Sequence, residues 1–409
     1  MYVEMYTMQR VGHPLHRCIV ASVCPAEDRM ELAYSINSCG IHLMSKIIEF
    51  PENRLQSAHD NEGNKTNSAH SPPAIGGKDS RQAKKSILVS VVVPTCGRPH
   101  LLSRCLASLL SQRFEPSCYE IVVVDDNPNR GTEEVVTNWA IRAAHSGLAV
   151  SYIASSGPHG PAAARNRGWR AARGTVIAFT DDDTVAEPDW LQNGWRAFED
   201  DVQAVWGRIM MPLSAVPTDY ERDAKNLEQA EFVTANCFCR KQVLEELGGF
   251  DERFRFAWRE DADLYFRLLG RNGRIVYAPT AVITHPIRPA SWGVSLRQHK
   301  KIQSDALLYK KHPALYREKI RAAPRWDYYL IVAALLICIT AAGLGQLGTA
   351  ALAGSLWLLL TVRFCLMRLM PTVKTPAHIA EMIVTSALIP PVAVFWRLIG
   401  AVKFRVRFI

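Results

Sequence analysis

Between Ile87 and Asp183 the chain alternates short β-branched runs with longer segments whose apolar residues recur at helical spacing. ILVSVVVP (87–94) precedes LLSRCLASLLSQ (101–112), and YEIVVVDD (119–126) precedes GTEEVVTNWAIRAA (131–144). AVSYIAS (149–155) is followed by GPAAARNRGWRAARG (160–174), and TVIAFTDDD (175–183) begins the cycle again. Uninterrupted apolar runs bounded by Pro or Asp read as strands buried on both faces. Strands that alternate with helices need crossover connections and therefore lie parallel, which predicts an α/β fold with a mostly parallel sheet and flanking helices. Ligands of such sheets bind beyond the carboxyl ends of the strands, so the residues just after each apolar run are the first candidates for a site.

Those residues are Pro94, Thr95 and Arg98, then Asp125 and Asp126, then Asp181, Asp182 and Asp183. Asp125 alone reads as a turn former. Three consecutive aspartates behind an apolar strand are less ordinary, because gathered like charges raise one another's pKa and cost stability unless a cation offsets them. Hard carboxylate oxygens suit Mg2+ or Mn2+ carrying a diphosphate. A second acidic group, Glu260, Asp261 and Asp263, opens a helix in which Leu264, Tyr265 and Leu268 recur at three and four. Acids in a first turn favour the helix dipole, which accounts for Glu260 and Asp263 and leaves Asp261 as the candidate for chemistry. His285 closes the strand AVITH, where a neutral imidazole could complete a metal shell begun by Asp183.

The net charge of +9 invites a nucleic-acid reading, but its location argues against one. Residues 288–325 hold ten Lys/Arg against two acids, and 363–409 seven against one, so the rest of the chain is net acidic. The positive charge flanks Tyr328–Val362, which is uncharged and would be roughly 52 Å long as one helix, too long for a single span. GLGQLG (343–348) offers a turn, giving a hairpin of two spans with Arg321, Arg325, Arg363 and Arg368 on the cytoplasmic side. The stretch 379–399, with Glu381, Pro390, Pro391 and Arg397, reads as an interfacial or re-entrant helix followed by a basic tail. No nucleic-acid-binding motif is present in the sequence.

Ten cysteines lie without a framework spacing, and Cys237 and Cys239 read as small buried hydrophobes in a strand. The first thirty residues lack a signal-peptide pattern. Reduced thiols and no leader predict a catalytic domain facing the cytoplasm on the inner membrane. Residues 1–51 form a segment with no assigned role, and 52–86, rich in Asn, Ser, Gly, Pro and charge, read as a disordered linker. Domains follow at 87–290, then a basic helical juxtamembrane region at 291–326, then a membrane-associated region at 327–409.

Residues 87 to about 290 resemble the family 2 inverting glycosyltransferases of GT-A fold, of the membrane-attached bacterial type. VSVVVPTCGRPHLLSRCLASLLSQ resembles the opening strand and helix, IVVVDDN the nucleotide strand, AAARNRGWRAARGTVIAFTDDDTVAEPDWL the central block with its Asp-x-Asp motif, and GGFDERF with REDADLYFRL the acceptor-side Glu-Asp motif. The resemblance implies a Rossmann-like GT-A domain followed by C-terminal hydrophobic membrane helices. It implies that Pro94, Thr95 and Arg98 line the nucleotide, that Asp126 binds the base, and that Asp181 and Asp182 face ribose and sugar. Arg165 and Asn166 would border the donor, Asp183 would hold the metal with His285 as a further ligand, and Asp261 would be the general base. Trp258 and Glu260 fall on the acceptor side.

The implied reaction takes one sugar from a UDP-, GDP- or dTDP-linked donor to a lipid-linked or envelope glycan hydroxyl, with inversion in a single displacement. No Gln-x-x-Arg-Trp follows Asp263, which favours single-sugar transfer. Cys96 and Gly97 stand where the family commonly carries an aromatic and a polar residue. Two other readings share parts of the pattern. A sugar nucleotidyltransferase would carry a Gly-rich, basic phosphate loop after the first strand, which PTCGRPHLL does not supply; a catalytically dead scaffold would have lost Asp183 or Asp261.

Overall fold

The structure, a computed structural model, describes residues 86–271 and 273–408. The expectations for 1–51 and for all of the linker but Ser86 lie outside the described residues. The alternation begins with β1 (Val89–Thr95), α1 (Pro99–Leu110), β2 (Tyr119–Asp125), α2 (Arg130–Ala144), β3 (Ala149–Ala154), α3 (Pro161–Ala171) and β4 (Val176–Phe179). Within β1, Val92 packs into one core while Val89, Val91 and Val93 pack into another on the opposite face. Both faces of the strand are therefore covered, which is why its sequence is continuously apolar rather than alternating.

The second half is less regular. It contains β5 (Val185–Ala186), α4 (Trp190–Arg196), β6 (Val202–Met210), α5 (Asp219–Lys225), β7 (Cys237–Arg240), α6 (Lys241–Leu247), α7 (Glu260–Leu269) and β8 (Arg274–Thr284). The eight strands form one sheet in the order β3-β2-β1-β4-β7-β6-β8-β5. The first four are mutually parallel, β7 runs antiparallel to both β4 and β6, β8 is parallel to β6, and β5 is antiparallel to β8. The sheet is thus mixed, and the reversal at β7 divides the regular parallel half from the half that carries β8.

Two local features open the carboxyl edge of the sheet. The β1–β4 ladder ends at Val92 opposite Phe179. Val92 turns its carbonyl to Thr180 and Thr95 turns its own to Asp126, so Pro94 faces beyond the end of β4, where its missing N–H costs nothing. On the other half, the β6–β8 register jumps between Gly207 and Arg208, forming a bulge at 279–281 that contains Pro279. A Cβ on Gly207 would lie 2.2 Å from the Ala281 carbonyl, so only glycine accepts this approach. The bulge carries Thr284 and His285 to the same edge as Asp181–Asp183.

Helices α8 (Val294–Gln298), α9 (Gln303–Lys311) and the short α10 (Pro313–Leu315) follow. Ala306, Leu307 and Leu308 of α9 enter the same core as Val92, Phe254 and Phe266, so this basic stretch is also part of the catalytic domain's interior. Three apolar helices complete the chain: α11 (Trp326–Gly343), α12 (Leu347–Leu369) and α13 (Pro376–Lys403). By length and composition each could cross a membrane. The break between α11 and α12 falls within the GLGQLG turn.

Candidate active site

A cleft of about 410 Å³ lies at the carboxyl edge of the sheet, lined by Pro94, Thr95, Arg98, Asp126, Arg165, Asp181, Asp183, Trp258, Glu260, Asp261 and His285 among others. Segments far apart in sequence meet there because each strand ends at the same edge. Asp182 is expected from the sequence to face the sugar, yet it turns inward and is fully buried. Thr95 Oγ1 donates to its Oδ2 at 2.7 Å, and Arg98 reaches its Oδ1 at 2.6 Å. Burial raises this carboxyl to about 6 against the pull of Arg98. Asn166 also lies outside the cleft. Its amide donates to the Phe250 carbonyl and to Glu252, while its oxygen accepts from the Phe250 N–H and the Trp169 indole, so it fastens α3 to the loop before α7.

Asp181, Asp183 and His285 form a cluster whose ligand atoms lie within 4.8 Å of one another. His285 Nε2 is 3.6 Å from Asp183 Oδ1, and its Nδ1 is buried without a hydrogen-bond partner among the described residues. Two carboxylates and an imidazole suit Mg2+ or Mn2+ with positions left for phosphate oxygens. The donor set therefore fits a divalent ion, and it includes Asp181, which the family resemblance placed with Asp182 at the ribose and sugar. Arg288 Nε approaches Asp183 Oδ2 at 3.0 Å and Arg98 lies 3.7 Å from the same atom, so two guanidiniums offset its charge.

Arg165 joins the two acidic groups. Its guanidinium donates to Asp181 at 2.8 Å and to Glu260 at 2.9 Å from a position 3% exposed. Burial would raise the Asp181 pKa, but Arg165, together with His285 and Arg98, outweighs it and holds the carboxyl below its ordinary range. Glu260 goes the other way: burial, reinforced by the charge of Asp261, pushes it up to about 7. Asp261 is raised as well, by burial first, although the Ala262 N–H bonds its Oδ1 at 2.7 Å. A raised carboxylate that lines a cleft suits proton abstraction near neutral pH.

The turn into α7 is held by a buried anchor. Arg259 adopts a left-handed φ of 75°, and its Nε donates to Asp305 Oδ1 at 2.7 Å. The Trp258 indole donates to the same oxygen at 2.8 Å. Trp258 is thereby fixed in the cleft wall. Asp126 also lines the cleft, where Gly160 donates its N–H to Oδ2 at 2.8 Å. Gly160 has φ 120°, a conformation that favours glycine, and a Cβ there would lie 2.9 Å from the Arg255 carbonyl. Asp126 Oδ1 accepts no hydrogen bond from the described residues.

Residues 90–248 match the family described as Glycosyl transferase family 2, and residues 176–399, more than half of the chain, match Glycosyl transferase family group 2. The chain belongs to the family 2 glycosyltransferases. Its mixed sheet with flanking helices is a GT-A fold. Among similar proteins, glycosyltransferase AglE of Haloferax volcanii is 26% identical over 213 residues, which cover 49% of this chain and 67% of that protein. Validoxylamine A glucosyltransferase of Streptomyces hygroscopicus subsp. limoneus is 26% identical over 56% of this chain and 58% of its own. The pre-mycofactocin glycosyltransferase of Mycobacterium tuberculosis is 29% identical over 49% and 43%. The matched region thus spans from under half to about two thirds of these curated relatives. The mannosyltransferase PcManGT from Pyrobaculum calidifontis, solved with GDP-Man and Mn2+, is similar over 78% of this chain and 86% of its own, with 20% identity and a TM-score of 0.45.

Several cleft residues of this glycosyltransferase carry no motif. Tyr220, Arg288 and Lys301 line it, yet the sequence shows Arg288 and Lys301 only as members of a basic stretch and gives no signal for Tyr220. Arg288, three residues after His285, could have been found by extending the strand-end rule past Pro286.

Proposed function

We propose that this chain transfers a single sugar from a nucleotide-sugar donor to a hydroxyl acceptor at a membrane surface, with inversion at the anomeric carbon. The observation that carries the proposal is that Asp126, the Asp181–Asp183–His285 cluster and Asp261 line one cleft. In this reading Oδ1 of Asp126, which His159 Nδ1 approaches at 3.4 Å, hydrogen-bonds the base, and Asp183 and His285, with Asp181 beside them, hold Mg2+ or Mn2+. The bound ion would stabilise negative charge on the departing diphosphate. Asp261 removes the acceptor proton during attack, Arg165 keeps Asp181 and Glu260 in place, and Trp258 and Glu260 border the acceptor. The donor would be a UDP-, GDP- or dTDP-linked sugar.

A lipid-linked or envelope glycan acceptor is supported by a second, smaller cavity. Tyr220, Trp258 and Lys301 line both it and the main cleft, and its far wall includes Tyr328 of α11 and Ile389 of α13. An acceptor confined to the bilayer would thus reach Asp261 from the side of the apolar helices, with the catalytic domain on the cytoplasmic face of the inner membrane. Membrane confinement raises its effective concentration.

Labelled UDP-, GDP- and dTDP-sugars, incubated with full-length protein, Mn2+ and a membrane extract, should release nucleoside diphosphate with one donor. The product should have the anomeric configuration opposite to the donor. Silence with every donor would sink the proposal, and retained configuration would sink its single-displacement step.

A further inference from the structure

We propose that α13 does not cross the bilayer but lies in its surface, so that only the α11–α12 hairpin enters the hydrocarbon. The inference rests on the membrane attachment proposed above and gives it a geometry.

The catalytic domain holds α13 along nearly its whole length. Near its start, Glu381 accepts the Gly293 N–H at 2.7 Å. In the middle, Ile389 meets Ile302 across the small cavity. Toward its end, Gly400 lies so close to α9 that a Cβ would be 2.7 Å from the Gln303 carbonyl, and Lys403 Nζ donates to the Gln303 side chain at 3.0 Å. Beyond the helix, Lys310 donates to the Phe404 carbonyl, and Phe408 is buried with its ring 5.3 Å from Tyr309 and 5.5 Å from Tyr316.

Glu381 and Lys403 are separated by about 33 Å of helix, at 1.5 Å per residue, as much as the hydrocarbon core is thick. Were α13 to span, residues 293–311 would have to accompany it through the bilayer. That stretch carries Arg297, His299, Lys300, Lys301, Asp305, Lys310 and Lys311. Ionisable groups at bilayer depth are costly and seldom left facing lipid. Asp305 also anchors Trp258 and Arg259 at the active site. The chain after α13 would emerge on the far side, yet Phe408 is packed in the catalytic core.

The other face of α13 is exposed and apolar, with Val384, Leu388, Phe395 and Val402 uncovered. It adjoins the hairpin, whose outer surface exposes Leu352. Lys300 stacks 5.6 Å from the Trp396 ring, and Arg405 and Arg407 follow the helix exposed, a basic fringe suited to anionic headgroups. A helix with one face on protein and the other apolar, edged with cations, fits the boundary between headgroups and acyl chains.

The test is a spin-label depth profile of the full chain in sealed phosphatidylcholine–phosphatidylglycerol vesicles. Reactive native thiols are replaced by alanine, and single labels are placed at V384C, L388C, F395C and V402C, with L352C on the hairpin as reference. An in-plane helix gives four shallow depths on the side of the catalytic domain that agree within about 5 Å, with L352C lipid-exposed toward the opposite leaflet. A spanning helix separates L388C from V402C by about 20 Å in depth and overturns the proposal. Lipid exposure at L352C but none on α13, with spin–spin broadening at V402C, means that a second copy covers the face and also overturns it. Absence of lipid exposure at L352C as well overturns the membrane attachment itself.

Discussion

Arg165 and Glu260 face each other at 2.9 Å, each 3% exposed, and the same guanidinium reaches Asp181 at 2.8 Å. One side chain on α3 thus spaces the cluster after β4 from the first turn of α7. Breaking a buried pair by removing one partner costs about 3–5 kcal/mol because the other charge is left uncompensated. Arg165→Ala should therefore lower the melting temperature markedly. Arg165→Lys, whose compact ammonium lacks the planar fork, should fold but lose kcat/KM by about a hundredfold, as expected when catalytic groups shift by about 1 Å. Equal kcat/KM for Arg165→Lys and wild type, measured as nucleoside diphosphate release, would contradict this.

As the proposed base, Asp261 must be unprotonated, and burial raises its pKa alongside that of Glu260. The rate should consequently fall as pH drops through a value above the ordinary carboxylate range. Glu260→Gln keeps an acceptor for the Trp258 N–H and removes one ionisable partner of the pair, so the acidic limb of the kcat/KM profile should move down. An unmoved limb would assign it to another group. Asp261→Asn should abolish the limb together with most of the turnover.

Asp126 offers an oxygen with no hydrogen bond beside a backbone held by Gly160. Nucleoside diphosphate should raise the melting temperature of wild type, and Asp126→Ala should reduce that shift with Mn2+ present. Asp183→Ala should instead make the nucleotide shift insensitive to EDTA. Identical behaviour of the two variants would mean that they do not serve separate parts of the ligand.

These readings show what the sequence reveals and what it hides. The β1–α1–β2–α2–β3–α3–β4 alternation is legible because strands buried on both faces must be continuously apolar, as in VSVVV and IVVV. β6 escapes such reading because its faces differ and Gly207 and Arg208 interrupt it at the bulge. The positions of Asp181, Asp183 and His285 at the strand ends follow from the strand-end rule, whereas the inward turn of Asp182 depends on Thr95 and Arg98, eighty-odd residues earlier. Asn166 sits among site residues in sequence, but its amide is fully used by Phe250, Glu252 and Trp169, and no local pattern announces that.

Asp251 and Asp263 connect α9 to the region around α7. Lys311 Nζ lies 2.7 Å from Asp251 and 2.5 Å from Asp263, while Arg253 bonds the first, and Arg267 and His312 the second. Burial opposes ionisation of both, yet these partners win and both pKa values are lowered. Carboxyls with folded pKa values below their unfolded ones, near 4, add stability that is complete above that pH and is lost as pH falls through the folded values. The melting temperature should drop on acidification from pH 5 to 3. Lys311→Met should flatten that drop, since it takes a cation from both carboxylates. An unchanged slope would remove Lys311 from the linkage.

Arg368 of α12 and Asp219 of α5 pair at 2.8 Å, with side chains 0% and 6% exposed, and Arg368 also donates to Thr385 and Ser386 of α13. The pair fastens the apolar helices to the residue preceding Tyr220 in the cleft wall. Asp219→Leu alone takes a carboxylate from a buried cation and should lower the melting temperature, whereas replacing a buried pair together with apolar residues is often neutral or stabilising. The double variant Asp219→Leu, Arg368→Met should accordingly melt closer to wild type than Asp219→Leu does. Tyr220 loses its anchor in both, so a raised donor or acceptor KM should persist in the double variant although stability returns. Recovery of stability and KM together would show that the pair holds the fold but not the cleft.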